Sequence, residues 1–281
     1  MYHITRMESL VKKGKLLFSE KNEPEFQFGK RGTEFDMITL PVGIALNSKE
    51  TVLFVCDILS QKIQVYTIDG YFMTSFGTDH LKKPCGITMY GNRLYVTDVR
   101  AHSLLMFGNY GVKATGKCGI RIGELQFPRS VTCDSKGDVY VTDCGNLRIV
   151  VYSGELELKR IIASGQTWTP IDSRIFHKEI IVLSQHAPFI RCINLVDNSE
   201  RNIYEVDKNV KNPCFFCVDK FGNFVINDAG SKRIVITNPR GELLKIIDEG
   251  SSGSFMFGTQ ITSYNKIIVA LCAGRKTISV I

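Results

Sequence analysis

The chain has 281 residues, 44% of them apolar, and its 35 Lys and Arg against 28 Asp and Glu give a formal charge of +7. With a mean hydropathy of zero, this composition suits a soluble globular chain with a sizeable core rather than a disordered or membrane-bound one. No run approaches the roughly 18 to 20 uninterrupted apolar residues of a membrane span, and MYHITRMESLVKKGK at the amino terminus lacks the apolar stretch of a secretory signal, so the expected location is the cytoplasm.

In chain order, residues 1–13 carry no pattern, and GKLLFSEK (14–21) is a first, isolated strand signal. From Phe28 and Gly29 a unit of four strand signals follows. It reads GIAL after a Pro, VLFVC ending at Asp57, KIQVYTI opened by Lys62, and YFMTSFG, with Asp69 and Gly70 as a hairpin turn between the last two. The unit then returns. Its landmark is an Asp closing an apolar strand, followed five residues on by a Lys or Arg that opens the next strand. That landmark or its substitute falls at Asp57, Asp98, Asp143, Ser184, Asp228 and Cys272, at intervals of 41 to 45 residues. The clearest copies are GDVYVTDCGNLRIVVYS (137–153) and GNFVINDAGSKRIVITN (222–238). Turn signals between first and second strands stand at Gly91-Asn92, Lys136-Gly137 and Phe221-Gly222, and helical periodicity is absent.

Self-similarity at this period, in units rich in β-branched and aromatic residues, predicts an all-β, six-bladed β-propeller occupying residues 1–281 as a single domain. A four-stranded blade cannot bury both faces alone, so the ring must close. The last unit stops after a third strand, TISVI. An amino-terminal strand completing the last blade is therefore expected, with GKLLFSEK as donor.

The pattern in LPVGIALNSKETVLFVCDILSQKIQVYTIDG and FPRSVTCDSKGDVYVTDCGNLRIVVYS resembles the NHL repeat. The opening PEFQFGKRGTEFDMITLPVGIAL is similar to the entry into the first blade of NHL domains. Such repeats form six-bladed propellers, often at the carboxyl end of TRIM-NHL ubiquitin ligases and translational repressors, and some bind RNA. The resemblance covers about residues 14–281 and is strongest in units one, three and five. Unit two has Ser103 at the basic position, while units four and six replace the Asp with Ser184 and Cys272 and the basic partner with Phe189 and Thr277.

A repeated Asp that closes a strand can accept the N–H groups of the next turn and face the basic residue five along. Asp57, Asp98, Asp143 and Asp228, with Lys62, Arg148 and Arg233, are expected to be architecture, because a catalytic residue has no reason to recur once per blade. Function is expected where the copies differ. The loops before each first strand and after each landmark should gather on one face. They carry Lys30, Arg31, Lys82, Lys83, Arg100, His102, Lys117, Arg121, Arg129, Arg148, Lys208, Lys211 and Lys232, against the fewer acids Glu34, Asp36, Asp79, Glu124 and Asp207. That face should be positive and suited to single-stranded or stem-loop RNA. The most economical footprint is on blades two and three, from Lys82, Lys83, Arg100, His102, Lys117, Arg121 and Arg129. The alternative is a protein-docking module, for instance one recruiting substrates to a ubiquitin ligase, with an apolar hot spot on the same face. Phe35, Phe127 and Trp168 are expected to seal the space between blades.

Other chemistry is poorly supported. The nine cysteines are odd in number and sit mostly in apolar runs, as buried reduced thiols do. Cys214 and Cys217 form a C-x-x-C without a second pair. His80, His102 and His186 fall in the relevant loops without a ligand set, and no phosphate-binding or nucleophile-elbow motif is present. The reading is a non-catalytic monomer with no cofactor and no RING or B-box pattern of its own, partnered by RNA or a protein and not by a membrane.

Overall fold

The structure, a computed structural model, describes residues 26–31, 36–162, 169–185, 189–203, 210–248, 255–262, 267–272 and 277–280. They form an all-β propeller. Among the described residues there are six four-stranded antiparallel sheets and one short two-stranded parallel pair, Lys30–Arg31 with Met37–Ile38. Sheet one comprises Pro41–Leu46, Val52–Asp57, Lys62–Thr67 and Phe72–Phe76, in close agreement with the four signals read from sequence. Sheets two, three, four and five open at Pro84–Tyr90, Pro128–Cys133, Thr169–Phe176 and Pro213–Val218, and each continues by adjacent hairpins. The described helical content is one short 3-10 turn, Cys144–Asn146.

Sheet six pairs Phe255–Ile261, Ile267–Cys272 and Thr277–Val280, and then Phe26–Phe28 from the other end of the chain. The register sets Phe26 opposite Val280 and Phe28 opposite Ile278. The strand beside Thr277–Val280 is thus Phe26–Phe28, later in sequence than the expected donor; GKLLFSEK lies outside the described residues.

Each first strand packs beside the first strand of the next sheet, and Phe255–Ile261 lies against Pro41–Leu46. The approach is close enough to dictate composition. A Cβ on Gly43 would stand 2.0 Å from the Cys85 carbonyl oxygen, and one on Gly258 would stand 2.0 Å from that of Val42. These positions need glycine. Sheet three carries Ser130 at the matching place, and its hydroxyl bonds the backbone N–H of Ser173 in sheet four at 2.9 Å.

Between neighbouring sheets the strand alternation lays down separate apolar layers. Tyr95 and Leu104 of sheet two meet Val131, Val141, Val150 and Tyr152 of sheet three. Tyr140, Ile149 and Val151 of sheet three meet Ile180, Val182 and Ile193 of sheet four. Leu53, Val55 and Tyr66 of sheet one meet Ile268 and Ile278 of sheet six. Each such side chain contributes about 1.5–3 kcal/mol on burial, so the joins between sheets dominate stability. No helix among the described residues is long and apolar enough to cross a membrane.

Candidate recognition face

The repeated Asp builds this face. Its strand register puts Asp57 opposite Lys62, Asp98 opposite Ser103, Asp143 opposite Arg148 and Asp228 opposite Arg233. Each carboxylate also reaches back to the loop that precedes its own sheet. Asp57 accepts Thr39 and Leu40 N–H at 2.8 Å each. Asp143 accepts Gln126 N–H at 2.6 Å, and Asp228 accepts those of Lys211 and Asn212 at 3.1 and 2.8 Å. Incoming loops and landmark turns are thereby tied together on one side of the molecule.

Asp98 gathers cations in the same way. One buried carboxylate accepts N–H groups from Lys82 (2.6 Å), Lys83 (2.9 Å), Arg100 (3.0 Å) and Ala101 (2.8 Å). Backbone bonds to an acid thus place three cationic side chains around it, all exposed. His102, next along, accepts the Phe127 N–H on Nδ1 at 3.1 Å, and the two rings lie 4.8 Å apart. Phe127 is 49% exposed, so it presents a face to solvent and does not seal a join, contrary to the expectation from its place before Pro128.

Lys117, Arg121, Lys211 and Lys232 are also exposed, and His102 and Arg129 are half-buried. Lys30 and Arg31 lie on a short strand, while Lys208, His186, Phe35 and Trp168 fall outside the described residues. Arg129 opens inward: its guanidinium stands 5.7 Å from the Phe215 ring centroid. Burial pushes the nearby Cys85 and Cys214 thiols up to about 11 and about 12, which keeps them protonated and inert at neutral pH. Among the described residues no group of three or more His, Cys, Asp or Glu could hold a metal ion.

Arg148 does not belong to the exposed set. It is buried, donating from Nε to Asp143 at 2.7 Å and from its two terminal nitrogens to the carbonyls of Ile120 (3.2 Å), Arg121 (3.1 Å) and Glu124 (2.7 Å). Asn146 adds a bond to the Gly119 carbonyl at 2.9 Å. A positioning fork therefore holds the loop 119–124 from below, and that loop displays Ile120 at 74% and Ile122 at 78% exposure on either side of Arg121. Sequence reasoning passed over both isoleucines. The available signal was two large apolar residues between Gly119 and Gly123, outside any strand period. Glu124, the acid here, is held below its ordinary range first by the Arg121 N–H and also by Lys117, 3.5 Å away.

The NHL repeat family matches residues 125–152, which span the Asp143–Arg148 hairpin of sheet three. The chain carries an NHL repeat there. Its curated relatives include the protein brain tumor of Drosophila melanogaster, 28% identical over 155 residues, covering 52% of this chain and 14% of that protein. They also include the E3 ubiquitin-protein ligase TRIM32 of Homo sapiens, 26% identical over 238 residues, covering 83% of this chain and 31% of the ligase. The chain thus spans less than a third of either relative's length, and the likeness to TRIM-NHL proteins is to that portion. In fold it is similar to a virginiamycin B lyase from Staphylococcus aureus, with a TM-score of 0.66 over 91% of this chain and 97% of the lyase; at 11% identity this is a likeness of architecture alone.

Proposed function

We propose that the chain is a non-catalytic recognition module, a six-bladed propeller closed between its first and last strands, that binds single-stranded RNA across sheets two and three. The observation that carries the reading is the Phe127 ring, seated on His102 and left open to solvent on the loops of sheets two and three that also carry the exposed Lys82, Lys83, Arg100, Lys117 and Arg121. An exposed ring is a platform for one base, and neighbouring cations hold the adjoining phosphates. RNA suits this arrangement better than duplex DNA because an unpaired base has a free face to stack.

Binding of a random single-stranded RNA pool, followed by fluorescence anisotropy at two salt concentrations, tests the reading. Affinity should fall steeply with added salt and be lost when Lys82, Lys83 and Arg121 are replaced together by Glu. Affinity that is indifferent to both changes would rule it out.

A second reading rests on Ile120 and Ile122. Two exposed isoleucines on a loop pinned by Arg148 form a pre-organised apolar contact of the kind protein partners use. In that case the module docks a protein, such as a substrate of a ligase like the one among its relatives. Ile120→Ser with Ile122→Ser would then abolish partner binding, and charge reversal would change it little.

A further inference from the structure

The first strands enclose an axial cavity of 240 Å³, lined by residues from all six sheets, among them Thr88, Thr132, Arg174, Cys217 and Gln260. Its walls lie toward the ends of these strands, away from the landmark turns. Strand register defines one equivalent position per sheet, opposite the residue three before each landmark. It is filled by Ala45, Thr88, Thr132, Arg174, Cys217 and Thr259. All but Thr259 line the cavity, where Gln260 stands for sheet six, and the small side chains leave room there for one long cationic one.

Arg174 is held with one edge engaged. Its Nη1 donates to Asp172 Oδ1 at 2.6 Å and to the Ser173 carbonyl at 2.8 Å, and the guanidinium lies 5.7 Å from the Phe216 ring centroid. Nε and Nη2 make no hydrogen bond to the described residues. The Asp172 carboxylate is itself fully engaged, since Oδ1 also accepts Ser173 N–H and Oδ2 accepts Phe216 N–H from sheet five, both at 2.9 Å. Its role toward Arg174 is to orient the fork, whose free edge has the two parallel donors that match an oxyanion.

We propose that this axial cavity binds a small oxyanion, a phosphate or a carboxylate, on the free edge of Arg174. Because the cavity is walled by every sheet, occupancy would draw all six together, and the site is independent of the RNA face.

Isothermal titration of the full chain with inorganic phosphate, and separately with acetate, tests this. The expected result is one saturable site per chain for at least one of the two anions, which also identifies the preferred chemistry. Gln260→Glu, which sets a negative charge in the cavity wall without touching the ion pair, should weaken binding at least tenfold. Arg174→Gln should abolish it, and Lys82→Glu with Lys83→Glu should leave it unchanged. If Arg174→Gln fails to fold, Gln260→Glu decides. Absence of a saturable site for both anions, or binding that survives Gln260→Glu intact, would overturn the proposal.

Discussion

In sheet three, Asp143 closes the second strand and serves its own sheet, accepting bonds from Gln126, Asn146 and Arg148. In sheet four the same place holds Ser184, a buried hydroxyl with no partner among the described residues. The buried acid of that sheet is Asp172, on the first strand near the axis, and it binds across to sheet five through Phe216. The repeat therefore tolerates loss of its landmark where another carboxylate joins the sheets. One acid organises the outer face, and the other organises the centre.

Breaking the central acid should cost most. Asp172→Ala strands the Arg174 charge and leaves Phe216 N–H unsatisfied, so denaturant unfolding should show a loss of about 3–5 kcal/mol. Arg148→Ala should cost about 3 kcal/mol, at the lower end of that range. It should also speed amide exchange across residues 119–124, whereas Asp172→Ala should leave exchange there unchanged. On the recognition side, Phe127→Ala should weaken RNA binding by about 1–3 kcal/mol per stacked base while moving stability by no more than about 0.5 kcal/mol. Ser184→Ala, which removes an unpartnered hydroxyl, should stay within about 0.5 kcal/mol of the parent. If Ser184→Ala cost as much as Asp172→Ala, the two places would not be interchangeable and the comparison would fail.

Titration sharpens the same contrast. Burial lifts the Asp172 carboxyl above its ordinary 3.8, with Arg174 and the Phe216 N–H pulling the other way. The native state then holds this proton to higher pH than the unfolded chain does. The contribution of this group is fully present below the unfolded value and is lost as pH rises through the folded one. Asp172→Asn should therefore remove a falling segment from the curve of denaturation midpoint against pH, measured upward from about pH 4. A curve of unchanged shape would show that the carboxyl titrates alike in both states.

The repeat was legible because its cause is local. Asp57, Asp98, Asp143 and Asp228 each bind loop N–H groups of their own sheet, so the same residues recur at the same spacing. Their gathering of loops onto one face was legible for the same reason. Arg148 was ambiguous, since a basic residue after a landmark reads equally as glue or as surface; what decides is the set of three carbonyls from a loop more than twenty residues earlier. Phe127 was misjudged because its exposure depends on His102, twenty-five positions away. Arg174 could not be singled out at all. Its meaning lies in five small residues on five other sheets, a relation that exists only once the strands are in register.

Phe26 and Val280 stand opposite one another although nearly the whole sequence separates them. A ribosome delivering this chain releases five sheets that can each form from neighbouring hairpins, but the sixth has to wait until Thr277–Val280 has been made. Until then the apolar flanks of sheets one and five have no cover, so the nascent protein passes through a stage in which its exposure to aggregation is greatest.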